Sequence, residues 1–89
     1  MAVYLISYDL NKPDNNYESL YETIKSYEAW WHHLDSTWII ETSSSCQSVS
    51  NNIKSHIHSD DNLLIIEVKN NFNGMLPNHA WEYLRKRNY

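Results

Sequence analysis

A chain of 89 residues makes one domain, 1–89, and a domain this small buries only roughly 60% of its unfolded surface, so its core is modest. Its formal charge is −4, but Arg85, Lys86 and Arg87 are three of its seven basic residues; before residue 85, four lysines face eleven carboxylates, a balance of −7. Such a body repels a phosphate backbone unless the basic terminus, a metal or a dimer groove overrides it.

The single Cys46 excludes an internal disulfide, and no spacing suits a zinc knuckle. No run approaches the roughly 18 apolar residues that span a membrane, and Met1 to Leu10 lacks the basic start and cleavage site of a leader. The expected location is the cytoplasm. Four Trp, seven Tyr and one Phe are many for this length, and aromatic residues are favoured both in small cores and at interfaces. A homodimer is therefore expected.

Ala2 to Leu10 is the most strand-like run: Val3, Leu5, Ser7 and Asp9 share one face, and Tyr4, Ile6, Tyr8 and Leu10 the other. Both faces are largely apolar, which predicts a central strand covered on both sides, followed by a turn at Asn11-Lys12-Pro13-Asp14. Asn15 with Glu18 predicts a capped helix over about 16–28, with Tyr17, Leu20, Tyr21, Ile24 and Tyr27 on its inner face. Ala29 to Thr42 reads as two short strands, or one strand broken by a bulge at Asp35-Ser36.

Ser43 to Ser45 offers caps for a second helix, whose stripe is Cys46, Val49, Ile53 and Ile57. Asp60-Asp61-Asn62 turns the chain into a buried strand at Leu63 to Val68. Pro77 opens a closing helix over about 77–87, with Ala80, Trp81 and Leu84 inward and Arg85 to Arg87 as a solvated helix end. The order β-α-β-β-α-β with a C-terminal helix predicts an α+β, ferredoxin-like domain. The last helix and a second subunit would cover the sheet face that the first two helices leave open.

Asp9, ending the first strand, is the leading candidate for chemistry: it can hold a hard cation such as Mg²⁺ or Mn²⁺ with a symmetry mate's Asp9, or simply cap the turn through Asn11 and Lys12. Trp31, His33, Ser36 and Trp38 form a second constellation, able to stack on a base or, more plainly, to divide between core and interface. Trp31, Trp38, Asn11 and Lys12 make up the ligand-binding set, and His33 titrates near neutrality and suits a general acid or base. His56, His58, Asp60 and Asp61 are ligand-type residues whose spacing fixes no common face.

Tyr8-Asp9-Leu10, the tyrosine-rich first helix, and Trp31 to Ile40 before a polar helix together resemble the second of the CRISPR adaptation proteins, the Cas-two family, and its relatives the VapD interferases. The resemblance covers about 3–68 and implies a ferredoxin-like dimer in which Asp9 faces its mate across a cleft and holds a divalent metal for phosphodiester hydrolysis. It places Ser36 beside that cleft; Asp9 and Ser36, with His33 from the reading of its own chemistry above, are the catalytic candidates. The chain departs from the family in its acidic body and in Ala29 to His33, which replace an arginine-bearing segment. Three functions are thus expected as alternatives: a metal-dependent nuclease acting on RNA or DNA, a non-catalytic nucleotide-binding module, or a domain that binds a basic protein partner.

Overall fold

Strand β1 (Ala2–Asp9) lies inside a four-stranded sheet, hydrogen-bonded on one side to β3 (Thr37–Thr42) and on the other to β4 (Asn62–Glu67). β2 (Ala29–Leu34) completes the order β2-β3-β1-β4, and every neighbouring pair is antiparallel. The computed structural model describes residues 1–11 and 17–89; the predicted turn at Lys12 to Asp14 and the predicted cap Asn15 lie outside the described residues. Three helices, α1 (Glu18–Lys25), α2 (Cys46–Lys54) and α3 (Asn78–Arg85), give the chain its small α+β architecture. None is long and apolar enough to cross a membrane.

Period-two alternation in β1 decides which helix meets which face. Tyr4, Ile6 and Tyr8 join Trp38 and Ile40 of β3 beneath Leu20 and Ile24 of α1 and Val49 and Ile53 of α2, forming the main core. Ser45 caps α2 as expected, its hydroxyl accepting the Ser48 N–H at 3.1 Å. Both helices are shorter than their apolar stripes suggested. At the end of α1 the Ser26 hydroxyl turns back onto the Thr23 carbonyl at 2.6 Å, and the chain then leaves for β2. Tyr27 still packs against the core from outside the helix.

The two-strand reading of 29–42 is the one observed: a turn at Asp35-Ser36 joins β2 to β3, and the register shifts between Trp31 and Leu34. The start of that hairpin is tied to its end by Glu28, which accepts the Ser43 N–H and hydroxyl, both at 3.2 Å. Bonding from the Thr42 hydroxyl, and then from its own and the Ser43 backbone N–H, holds the Glu28 carboxyl down to about 2.

The opposite face carries a smaller core, in which Ala80 and Leu84 of α3 pack on Trp31, with Ile39 and Leu76 alongside. The Trp31 indole N–H donates to the Ala80 carbonyl at 3.1 Å, a buried bond that fixes the helix over β2. The expectation of a solvated Arg85 to Arg87 end is corrected at Arg87: its guanidinium pairs with Glu41 of β3 at 3.0 Å, its Nε donates to the Tyr83 carbonyl, and it lies 4.1 Å above the Tyr83 ring. Burial, with the Glu41 charge adding and the Arg87 charge opposing, pushes the Tyr83 hydroxyl up to about 12.

The reading of Leu63 to Val68 as a buried strand is also corrected. β4 is an edge strand, because the sheet ends there; Leu63 and Ile65 turn to the main core while Leu64 and Ile66 remain 57% and 51% exposed.

Since α3 rests on one indole bond, two buried apolar side chains and the Arg87–Glu41 pair, removing the guanidinium should be felt. Arg87→Ala is expected to cost about 1–3 kcal/mol in urea unfolding, between the values of exposed and buried pairs. A double-mutant cycle with Glu41→Gln should show that the two losses are not additive.

Candidate functional site

Asp9 is the last residue of β1 and pairs across the ladder with Asn62, the first of β4. Its side chain is exposed on the face that carries Leu5, Ser7, Leu64 and Ile66, and it lines an open hollow of about 250 Å³ with Ser7, Tyr8, Asn62, Leu63 and Leu64. No hydrogen bond or ion pair engages its carboxylate among the described residues. Asp9 is the single carboxylate on that wall, with the Asn62 amide beside it. A hard cation takes six or more oxygen ligands, so one copy supplies a small part of such a shell and water or a second copy the rest.

Ser36 stands at the same end of the sheet, in the β2–β3 turn, where its carbonyl accepts the Tyr8 N–H at 3.1 Å. His33 lies two strands from β1, and a spacing of about 4.8 Å per strand puts roughly 10 Å between their backbones. Its ring instead meets Trp31 at 5.0 Å and His79 of α3 at 4.8 Å between centroids. Among the described residues no hydrogen bond joins Asp9, Ser36 and His33, so the three catalytic candidates form no relay within one chain.

The structure separates the expected ligand set. Trp31 and Trp38 sit on opposite faces of the sheet, Trp31 beneath α3 and Trp38 beneath α1, and both are buried. Trp38 is locked by its indole N–H on the Tyr8 hydroxyl at 2.9 Å, and burial raises the pKa of that hydroxyl. A cleft lined by Trp31, His33, Ser36 and Trp38 is therefore not formed. Asn11 serves the fold instead, since its N–H donates to Asp61 Oδ1 and its side-chain amide to the Asp60 carbonyl, both at 2.7 Å. Lys12 lies outside the described residues.

Asp61 also accepts the His58 N–H at 2.9 Å and the Tyr17 hydroxyl at 3.1 Å, which makes it a clasp joining the exit of β1, the start of α1 and the loop before β4. Burial works to raise its pKa, but the hydrogen bonds from Asn11, His58 and Tyr17 prevail and hold it below the ordinary carboxylate value. The ligand cluster considered at His56, His58, Asp60 and Asp61 is thus a turn organised by one acceptor. Among the described residues no group of three His, Cys, Asp or Glu side chains is placed to hold a metal ion.

Two features had no clear signal in the sequence. His32 lies flat on buried Trp38, at 3.6 Å between centroids and 11° between planes, and its Nε2–H donates to the Asp35 carbonyl at 3.0 Å. Tyr21, Lys25, His32 and Asp35 then surround a cleft of about 150 Å³ floored by Tyr8 and Trp38, with the Lys25 ammonium 5.4 Å from the Trp30 ring. The other is the approach of His79 to His33, residues 46 apart in the chain. Compared with family models, with curated protein sequences and with solved structures, the chain gives no significant match.

A carboxyl whose folded pKa lies below its unfolded value stabilises the fold above the unfolded value, and that contribution disappears as pH falls through the folded one. Acid unfolding monitored by circular dichroism should therefore be steepest below about pH 4, where Asp61 and Glu28 take up protons. Asp61→Asn should lower stability at neutral pH and flatten this acid limb.

Proposed function

We propose that the chain is a ferredoxin-like domain of the Cas-two kind that pairs with a second copy through the open half of its sheet and acts as a divalent-metal-dependent nuclease on RNA or DNA. The observation that carries this reading is the position of Asp9, an unengaged carboxylate on the sheet face where Leu64 and Ile66 of β4 are exposed. The strand order β2-β3-β1-β4, with α1 and α2 on one face, supports the ferredoxin-like assignment. α3 covers the β2–β3 half of the other face, and a second copy would cover the β1–β4 half.

In such a pair the two-fold axis brings Asp9 and Asn62 of both copies to one cleft, doubling the oxygen donors to two carboxylates and two amides. That set suits Mg²⁺ or Mn²⁺, and a bound ion supplies positive charge for the phosphate and a more acidic water. Asp9 would hold the ion, and the exposed Ser36 hydroxyl at the same end of the sheet would face the phosphate.

The test is cleavage of labelled single- and double-stranded RNA and DNA by untagged wild type and Asp9→Asn, with magnesium, manganese or EDTA. Metal-dependent cleavage that disappears in the variant is the expected result, together with a dimer in sedimentation that Leu64→Glu converts to monomer. A wild type that cleaves none of these substrates overturns the nuclease.

A second reading, a non-catalytic nucleotide-binding module, is favoured by the cleft at Tyr21, Lys25 and His32, where a cation stands beside ring surfaces. A base would stack there while Lys25 meets the phosphate. Titration with AMP should then change the fluorescence of half-exposed Trp30 without added metal, and Lys25→Ala should abolish the response; an unchanged spectrum rejects this reading.

A further inference from the structure

His33 of β2 and His79 in the first turn of α3 are both exposed, and their ring centroids lie 4.8 Å apart with planes inclined at 61°. Two imidazoles binding one ion at adjacent coordination positions have a defined separation. A metal about 2.1 Å from each ring nitrogen lies about 3.2 Å from each ring centre, so a right-angled or tetrahedral pair sets the centres about 5 Å apart. The observed spacing already matches, and both rings can turn about their terminal torsion because one side of each faces solvent.

From this geometry we propose that His33 and His79 together bind one divalent transition ion of the imidazole-preferring class, zinc, nickel or copper(II), and that the ion fastens α3 to β2. No third side chain joins them among the described residues, so the remaining positions go to water or to a donor from another molecule. Imidazole is a poor ligand for magnesium and a good one for these ions, which separates this site from Asp9 in both place and chemistry.

The ion's structural effect follows from where the two residues sit. α3 is held on its buried side by the Trp31–Ala80 bond and at its C-terminal end by Arg87 and Glu41. Its first turn lacks a side-chain cap, since Pro77 occupies that position without one. A metal bridge at His79 would fix that uncapped end to the neighbouring strand.

Isothermal titration of the untagged chain with nickel chloride tests the proposal, beside His33→Ala, His79→Ala and, as a control, His56→Ala. Wild type and the control should bind one nickel ion, and each of the other two variants should weaken binding by at least about tenfold. Wild type that binds no nickel, or variants at both positions that bind as well as wild type, overturns the site. Loss in only one of the two variants means a single-imidazole contact and overturns the bridge. Circular dichroism establishes that the variants are folded, and amide exchange over residues 78–85 reads the fastening: slower exchange with nickel in wild type alone supports it, and unchanged exchange rejects it.

Discussion

The structure depends on β1 having two apolar faces and neighbours on both edges. A strand of that kind must be covered above and below, and its residues therefore decide the position of every helix. Tyr4, Ile6 and Tyr8 take both α1 and α2, which fills one face across its width. The other face has a single short helix, and α3 is placed over Trp31 of β2 and Ile39 of β3. Two helices on one side and one on the other leave the β4 edge of the second face in water, where Leu64 and Ile66 are exposed.

The polar bonds that secure the layers are few and specific. Trp38 is held by the Tyr8 hydroxyl within the main core, and Trp31 by the Ala80 carbonyl within the smaller one. Each indole N–H is buried with its partner, so each avoids the cost of a buried donor left without an acceptor. The same use of the two tryptophans makes them poor ligand platforms: an indole 1% or 3% exposed has no face to offer a base. What surrounds them is more accessible. His32 covers Trp38 from the solvent side and His33 meets Trp31 at the edge of α3, so the histidines stand where the tryptophans were expected to act.

Most of the architecture was legible because hydrophobic period and caps are local signals. The alternation in Ala2 to Leu10, the stripe from Leu20 to Ile24, the Ser45 cap and the inward Ala80 and Leu84 all lie where the pattern put them. The misreadings share a cause, which is that they concern what meets what across the fold. Leu63 to Val68 is apolar enough for a central strand, and only the strand order makes it an edge. Arg87 looks like a helix terminus by its neighbours, and its partner Glu41 is 46 residues away. Trp31 and Trp38 look like one constellation, yet the turn at Asp35-Ser36 sends them to opposite faces. The candidate site was legible at Asp9, whose place at a strand end follows from alternation alone, and illegible at Asp61, whose role needs the exit of β1 and the loop before β4 to meet.

How the carboxylates are used sharpens the case for Asp9. Asp61 accepts three protein donors, Glu28 closes the β2–β3 hairpin, Glu41 receives Arg87, and Glu67 pairs with Lys69 at 3.0 Å. The first three tie together segments distant in the chain, so replacing them acts first on stability, whereas the Glu67–Lys69 pair is exposed and contributes little. Asp9 ends a central strand, where the ladder pairs it with Asn62 of β4, and yet its carboxylate makes no hydrogen bond or ion pair among the described residues. A rigidly placed and unspent charge beside an apolar face contributes little to the isolated chain, because water solvates it as well as it would in the unfolded state. In the proposed pair the two Asp9 carboxylates would repel unless a counter-charge sat between them, which is the physical reason that reading calls for a cation.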